Sequence, residues 1–339
     1  MLRIAINGFG RIGRLTLRAG FKQKGLEFVA INDLNAPETL AHLLKYDTVY
    51  RTWGHRVKAG DGCLVVDGKR IPVYAQKDPA KLPWKKHKVD VVIESTGFFT
   101  DEAGASAHLK AGAKSVVVSA PSKDLPTHLM GVNHEAIDPK KRMICNASCT
   151  TNSAGPVVQI LEEAFGIQKA MLSTVHSVTS GQNVVDSVPP ARKPDLRRAR
   201  SILGNIIPAH TGSAEATAKA ATYLEGKFDG VAIRVPTLDV SLSIFSVLLK
   251  KATDVESVNH ALRKAARSPR WKGIFDVTDE PLVSSDLIGN PHAAVADLSL
   301  TKVVDGDFVK ILAWYDNEWG YTNQLVAMVR EAGKRMLKK

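Results

Sequence analysis

At 339 residues the chain exceeds what one ordinary hydrophobic core holds, so two domains are the natural expectation. Hydrophobic content of 44% with unexceptional Gly and Pro usage indicates a soluble globular protein. The net charge of +12, from 46 basic and 34 acidic side chains, is scattered rather than gathered in tracts. It suits polyanionic small molecules as well as it suits nucleic acid, and no specific nucleic-acid partner is expected from it. No apolar run approaches the roughly 18 residues of a membrane-spanning helix, so no membrane partner is expected.

The first segment, Leu2 to Asn7, has the pattern of a short buried strand and not of a signal peptide. It runs directly into Gly8-Phe-Gly10-Arg-Ile-Gly13, and then into a helical pattern with Ile12, Leu15, Leu17 and Phe21. Strand, Gly-x-Gly-x-x-Gly and helix is the context that a dinucleotide fingerprint requires. The first Gly permits the tight turn, the second lets backbone approach a pyrophosphate, and the third lets helix pack on strand. A second strand, Phe28 to Asn32, ends at Asp33, 20 residues beyond Gly13. A carboxylate there accepts hydrogen bonds from ribose hydroxyls and repels a 2′-phosphate, which favours NAD over NADP.

Leu40, Leu43, Leu44 and Tyr46 suggest a helix, and Asp67-Gly68 between two apolar runs reads as a hairpin turn. Asp90 to Glu94 and Ser115 to Ser119 are buried-strand patterns that end in small polar residues, where ligands sit in doubly wound sheets. Glu102 to Ala111 looks helical. Strand and helix alternate, so this half is expected to be a Rossmann-type doubly wound parallel sheet with helices on both faces.

Met143-Ile-Cys145 delivers the chain to Asn146-Ala-Ser-Cys-Thr-Thr-Asn152, which precedes a helical run through Val157, Val158, Ile160, Leu161 and Phe165, closed by Gly166. Cys149 is thereby placed at a helix N-terminus, where unpaired N–H groups and the helix dipole favour thiolate over thiol. Cys63, Cys145 and Cys149 are too few for a disulfide framework, and the cytoplasm is expected.

Beyond Gly166 the pattern changes. Ala170 to Ser177 is strand-like and carries His176, and a Pro-containing segment from Thr179 to Asn205 reads as a functional loop. An Ala-rich helix is expected from Ser213 to Tyr223, strands at Val231–Arg234 and Val240–Leu249, and a helix over Val255–Ser268. Thr301–Val304 and Phe308–Trp314 form a hairpin pattern around Asp305-Gly306, and Leu325 to Met336 is a final amphipathic helix. This half is expected to be an α+β domain with a mostly antiparallel sheet. The expected division is residues 1–149, completed by a C-terminal helix over 316–339, and residues 150–315.

With these pieces placed, the chain resembles the phosphorylating glyceraldehyde-3-phosphate dehydrogenase family over essentially its whole length. The resemblance rests on Asn7–Arg14, Asn32-Asp33, Ala147-Ser-Cys-Thr-Thr-Asn152, Thr174-Val-His176, Asn205-Ile-Ile-Pro208, Arg234-Val-Pro-Thr237 and Trp314-Tyr-Asp-Asn-Glu-Trp-Gly-Tyr321. It implies NAD-dependent oxidative phosphorylation of glyceraldehyde 3-phosphate through a thiohemiacetal and a thioester. Cys149 is then the nucleophile and His176 the base that also keeps the thiol ionised. Thr179 and Arg234 face the substrate phosphate, and Ser148, Thr150, Thr211 and Gly212 face inorganic phosphate, with Arg198 near both. Gly8, Gly10, Arg11, Ile12 and Gly13 are placed by the NAD pyrophosphate and Asp33 on the ribose. Lys77 and Ser119 lie along the adenosine and pyrophosphate path, and Asn317 on the nicotinamide carboxamide. No metal is implied, and the family suggests a homotetramer.

Two further readings stay open. The sister family, erythrose-4-phosphate dehydrogenase, shares the Cys149 signature, although this chain keeps Asp33 and Thr179, which favours the triose. A non-catalytic NAD-binding regulator of the same fold is the other. Three departures from the family pattern stand out. Ser153 occupies the place of a second cysteine, while Cys145 precedes the nucleophile by four residues, a spacing that motivates a reversible disulfide hypothesis beside a buried-strand role. The loop from Asp186 to Leu196 is lengthened, which leaves NADP use open. Tyr50-Arg-Thr-Trp53 replaces a small Gly-containing turn.

Overall fold

The computed structural model describes residues 1–189 and 195–337. Pro190 to Pro194, in the lengthened loop, and Lys338-Lys339 lie outside the described residues. The chain divides into two compact units, Met1–Ser148 with Thr322–Lys339, and Cys149–Tyr321.

The first unit contains β1 (Leu2–Asn7), α1 (Arg11–Gly20), β2 (Leu26–Asn32), α2 (Pro37–Lys45), β3 (Val57–Gly60), β4 (Cys63–Val66) and β5 (Lys69–Tyr74). It continues with β6 (Val91–Glu94), α3 (Glu102–Lys110), β7 (Ser115–Val118) and β8 (Met143–Cys145). Among the described residues its sheet has the order β3-β4-β5-β2-β1-β6-β7-β8. From β5 to β8 every neighbouring pair is parallel, and β3-β4-β5 adds an antiparallel edge. All residues of β6 and β7 are buried, as a parallel sheet covered on both faces demands. Asp67 (φ 49°) and Gly68 (φ 84°) both take the left-handed conformation that a two-residue hairpin needs.

The second unit contains α4 (Cys149–Phe165), β9 (Ile167–His176), β10 (Ile207–His210), α5 (Ser213–Ala220), β11 (Phe228–Arg234) and β12 (Ser241–Leu249). After these come α6 (Val255–Ala266), β13 (Phe275–Thr278), β14 (Ala294–Val304) and β15 (Phe308–Tyr315). The sheet order is β10-β11-β9-β12-β15-β14-β13. Four of its neighbouring pairs are antiparallel, while β11–β9 and β13–β14 are parallel. Along β12, burial alternates strictly, so one face of the sheet packs and the other is more open. The short edge strands β3 and β13 escape sequence reading because four residues are too few to show a period. The Ala-rich helix stops at Ala220 and gives way to a single tight turn over Thr222–Leu224.

The last helix, α7 (Trp319–Met336), lies within the 316–339 span expected to complete the first domain, begins ahead of the amphipathic pattern at Leu325, and contains the unit boundary. From Thr322 onward it belongs to the first unit, whereas Asn317 falls in the second. No helix of the described residues is long and apolar enough to cross a membrane.

The departure at Tyr50–Trp53 has a structural account. The Trp53 ring meets Phe21 edge-on at 5.5 Å and His55 at 4.5 Å, and the Arg18 guanidinium lies 5.8 Å from it. The Arg11 guanidinium lies over Tyr50 at 5.9 Å. Arg51 has φ 58°, so an arginine holds a left-handed turn that a glycine would adopt without strain.

Candidate functional site

In the first unit β1 ends at Asn7, and Gly8 turns the chain with φ 91°. A Cβ on Gly8 would stand 2.6 Å from the Thr96 nitrogen, and one on Gly13 would stand 2.2 Å from the Gly8 oxygen. Gly10, which precedes α1, has nothing within 4 Å of its Cβ position. Two glycines are thus required by packing, and the third leaves open space beside a helix N-terminus, where free N–H groups favour an anion. This edge lines a cleft of about 610 Å³ with Gly8, Gly10, Asp33, Lys77 and Thr96 among its walls. Asp33 accepts from the Phe9 N–H at 2.8 Å and from the Asn35 N–H at 3.0 Å, which fixes the carboxylate at the cleft. The donor set therefore fits a dinucleotide: a nest for pyrophosphate and a carboxylate for ribose.

One cofactor expectation is narrowed by the structure. The Arg11 side chain is paired with Asp47; burial pushes Asp47 up, but the Tyr50 N–H, then the Arg11 cation, and last the Val49 N–H hold it below the usual carboxylate range. Arg11 and Ile12 can therefore offer helix-start N–H groups to pyrophosphate, but the Arg11 guanidinium is committed elsewhere. Ser119 directly follows β7 and donates its N–H to the Glu94 backbone oxygen at 2.9 Å.

Beneath the cleft lies a buried polar network that sequence reasoning missed. Glu94, 1% exposed, accepts from Asn7 Nδ2 at 2.6 Å, from the Thr96 N–H at 2.8 Å and from the Thr96 hydroxyl. His108 Nε2 lies 2.9 Å from the same carboxylate. Trp84 Nε1–H donates to His108 Nδ1 at 3.0 Å, so Nε2 carries the proton that points at Glu94. Asn7 Oδ1 in turn accepts from Asn32 Nδ2 at 2.7 Å. A Glu at a strand end and a His inside a helix carry no local mark of this pairing.

In the second unit Cys149 is the first residue of α4, and Ala147, just before it, has φ 53°. Cys149 Sγ lies 3.4 Å from His176 Nε2, at the carboxyl end of β9. On the other side of the imidazole, Nδ1 lies 2.8 Å from the Ser177 oxygen and 2.6 Å from an Arg234 guanidinium nitrogen. Arg234 can only donate and the Ser177 carbonyl can only accept, so the two contacts at Nδ1 favour opposite tautomers, and the same Arg234 nitrogen also donates to the Ser177 oxygen at 3.0 Å.

The expectation of a resting thiolate held by His176 is reversed by burial. Part of the Cys149 surface reaches solvent, yet the atoms packed around it desolvate the thiol and push it up. The Arg234 cation and bonds from Thr150 pull the other way without overcoming burial. Burial and then the Arg234 cation bring His176 down to about 3, so in this conformation the imidazole is neutral near pH 7.

Arg234 is itself mostly buried, and burial works against its charge. Among the described residues it has no carboxylate partner, and its Nε is buried without a hydrogen-bond partner. A cation so placed suits an anionic ligand. Arg198 adds a second positive charge to the same field. Its guanidinium contacts the Gly181 oxygen at 3.4 Å, and a Cβ on Gly181 would reach both Arg198 and the Thr179 hydroxyl, which brings Thr179 and Arg198 to one place. Thr211 and Gly212 precede α5, which packs on α4. The Thr211 hydroxyl accepts from the Ser213 N–H at 3.2 Å, so it already caps that helix. The Thr150 hydroxyl is buried and lies 2.9 Å from the Tyr315 hydroxyl, which takes up part of its bonding capacity.

Tyr315 is another residue the sequence reading missed. Its buried hydroxyl sits between those of Thr150 and Thr174, at 2.9 and 2.7 Å, and its ring meets His176 edge-on at 6.0 Å. Its place within the quoted Trp314–Tyr321 motif was the available signal. Ser177 and Ser241 both donate to Asn317 Oδ1. Ser153 is fully buried with its hydroxyl 3.2 Å from that of Ser243, so a polar pair fills the place of the second cysteine. Cys145 is fully buried in β8 with Sγ 3.3 Å from the Thr127 hydroxyl, and all three cysteines are free.

A dinucleotide-type turn in one unit and a thiol, imidazole and guanidinium in contact in the other suit an NAD-dependent dehydrogenase. Two family models match the chain, glyceraldehyde 3-phosphate dehydrogenase, NAD binding domain, over residues 2–102, and its C-terminal domain over residues 148–317. Glyceraldehyde-3-phosphate dehydrogenase 1 of Bacillus cereus is 48% identical over 328 residues, 96% of this chain and 97% of the relative. Glyceraldehyde-3-phosphate dehydrogenase 2 of Bacillus subtilis is 44% identical over 337 residues, 99% of this chain and 98% of the relative. The cytosolic glyceraldehyde-3-phosphate dehydrogenase of Chlamydomonas reinhardtii is 44% identical over 98% of this chain and 97% of its own length. The chain belongs to the glyceraldehyde-3-phosphate dehydrogenase family.

Proposed function

We propose that this protein oxidises glyceraldehyde 3-phosphate, with NAD and inorganic phosphate, to 1,3-bisphosphoglycerate. The observation that carries the reading is the 3.4 Å approach of Cys149 Sγ to His176 Nε2 at the start of α4. Sulfur adds to the aldehyde carbon as the thiol proton passes by way of His176 Nε2 to the carbonyl oxygen, which becomes the hydroxyl of a thiohemiacetal. When bound, NAD supplies the hydride acceptor. His176 takes the hydroxyl proton as the carbonyl re-forms, leaving a thioester on Cys149. Phosphate oxygen attacks that thioester, and sulfur leaves as thiolate, which recovers its proton from His176.

With its proton on Nδ1, held by the Ser177 carbonyl, His176 presents Nε2 to sulfur as a base, and the Arg234 cation beside it suits a substrate phosphate. Arg234 and Thr179 are therefore assigned to the substrate phosphate, and Ser148, Thr150, Thr211 and Gly212 to inorganic phosphate, with Arg198 serving the field of both. Gly8, Gly10, Gly13, Asp33 and Lys77 serve NAD in the first unit, and Asn317 donates to its carboxamide. The first unit is then the NAD-binding domain and the second the catalytic one.

The second unit's sheet exposes Met171, Val231 and Phe308, each between 45% and 55%, on its open face. Such a face suits self-association, and a homotetramer is the proposed state, checked by light scattering. Likeness to a relative named as cytosolic supports a cytoplasmic location.

NADH absorbance with glyceraldehyde 3-phosphate, with and without inorganic phosphate, tests the activity. Phosphate-dependent NADH formation lost in Cys149→Ser is the expected result. Equal formation in that variant, or none in the wild-type protein, overturns the reading. Erythrose 4-phosphate in place of the triose tests the sister activity.

A further inference from the structure

Asn317 closes a small buried hydrogen-bond system. Ser177 Oγ donates to Asn317 Oδ1 at 2.8 Å, and Ser241 Oγ donates to the same oxygen at 2.6 Å. Ser241 Oγ also accepts from the Ser177 N–H at 3.1 Å. Ser177 is fully buried, Ser241 is 2% exposed and Asn317 is 4% exposed. An amide oxygen accepts two hydrogen bonds and an amide nitrogen accepts none. Turning the amide over would leave both hydroxyl hydrogens without their acceptor in a buried place, which is costly. Its oxygen is therefore saturated, and among the described residues nothing accepts from its Nδ2 group.

A second feature points to the same spot. Val240, immediately before Ser241, has φ 63°. A β-branched residue rarely adopts that conformation, and it persists only where the surroundings hold it. Here Val240 is 2% exposed and packs with Leu287 and Val295. The strained residue delivers Ser241 to Asn317, while Ser177 directly follows the base His176.

We propose that Ser177 and Ser241 are positioning residues that lock the Asn317 amide with its N–H group outward, so that it meets the carboxamide oxygen of NAD as a donor. The proposal rests on the assignment of Asn317 to NAD above. One peptide, His176-Ser177, then sets both the base and the orientation of the cofactor-facing amide.

Calorimetric titration of the full chain with NAD and with ADP-ribose, which lacks the nicotinamide, separates the possibilities. Asn317→Ala weakens NAD about tenfold, the worth of one well-placed hydrogen bond, and leaves ADP-ribose unchanged. The Ser177→Ala/Ser241→Ala double variant shows the same selective loss, and adding Asn317→Ala to it costs nothing more, because the serines act through the amide. Should the double variant not fold, Ser177→Ala alone shows a selective loss of about threefold, since one donor remains. Wild-type NAD affinity in the serine variants beside a loss in Asn317→Ala overturns the lock. So does an equal loss of NAD and ADP-ribose. If Asn317→Ala itself leaves NAD affinity untouched, the assignment of Asn317 falls and the lock falls with it.

Discussion

One substitution, Gly to Ala, made in turn at three positions of the same turn separates what the fold needs from what the cofactor needs. At Gly13 the added methyl would stand 2.2 Å from the Gly8 oxygen and 3.1 Å from Ile6 Cγ2, so backbone must move. Overpacking against backbone at so short a distance lies at the upper end of its usual range, about 2–3 kcal/mol, offset by the roughly 1 kcal/mol that alanine gains inside a helix. Gly13→Ala should therefore lose roughly 1–2 kcal/mol, or about 2–8 °C in Tm for a unit of this size. Gly8→Ala should be at least as damaging, because the 2.6 Å approach to the Thr96 nitrogen is joined by a φ of 91°. Gly10→Ala is different: nothing lies within 4 Å, and φ is −68°. Its Tm should hold or rise slightly, by the order of 0.5 kcal/mol that a less flexible unfolded chain contributes. Its NAD affinity should nevertheless fall at least about tenfold, because the methyl occupies the approach of the pyrophosphate. Ligand-free calorimetric melting and NAD titration measure the two effects separately. Wild-type NAD affinity in Gly10→Ala would refute the assignment of this turn to the cofactor. A wild-type Tm in Gly13→Ala would refute the packing argument.

Two further outcomes follow from buried groups. His176 takes up its proton near about 6.5 in the unfolded chain, but only near about 3 in the folded one. Between these values the unfolded chain binds the proton and the folded chain does not, so stability is lost as pH falls. His176→Gln removes this term, and in urea unfolding it should gain about 2 kcal/mol relative to wild type between pH of about 6.5 and 5; parallel pH curves would exclude burial as the dominant influence. Glu94→Gln replaces one acceptor oxygen with an amide nitrogen amid donors from Asn7, Thr96 and His108. A loss of about 2–4 kcal/mol in unfolding free energy is expected from the unpaired donors, and a loss under about 0.5 kcal/mol would show that the network readily rearranges.

Much of this molecule is legible locally. Gly8-Phe-Gly10-Arg-Ile-Gly13 between a strand and a helix announces its turn because packing demands on Gly8 and Gly13, and open space at Gly10, fall within six residues. Strand and helix patterns in the first unit follow from periodic burial, and Cys149 could be set at a helix start because the apolar run after it shows its period at once. The sequence by itself therefore determined most of the elements, the fold class and the type of residue each motif offers, but not the short strands β3 and β13. Tertiary structure alone decided how those residues meet. Arg234 reaches His176 because β11 pairs with β9 in parallel, with Arg234 opposite His176. The Arg11 guanidinium goes to Asp47, and the Thr150 hydroxyl to Tyr315, each a partner remote in sequence. The same holds for charge: the helix start at Cys149 argued for a thiolate, but desolvation depends on every atom packed around sulfur, and it wins. Periodicity is a property of neighbours along the chain, whereas burial and long-range pairing exist only after the chain has closed on itself.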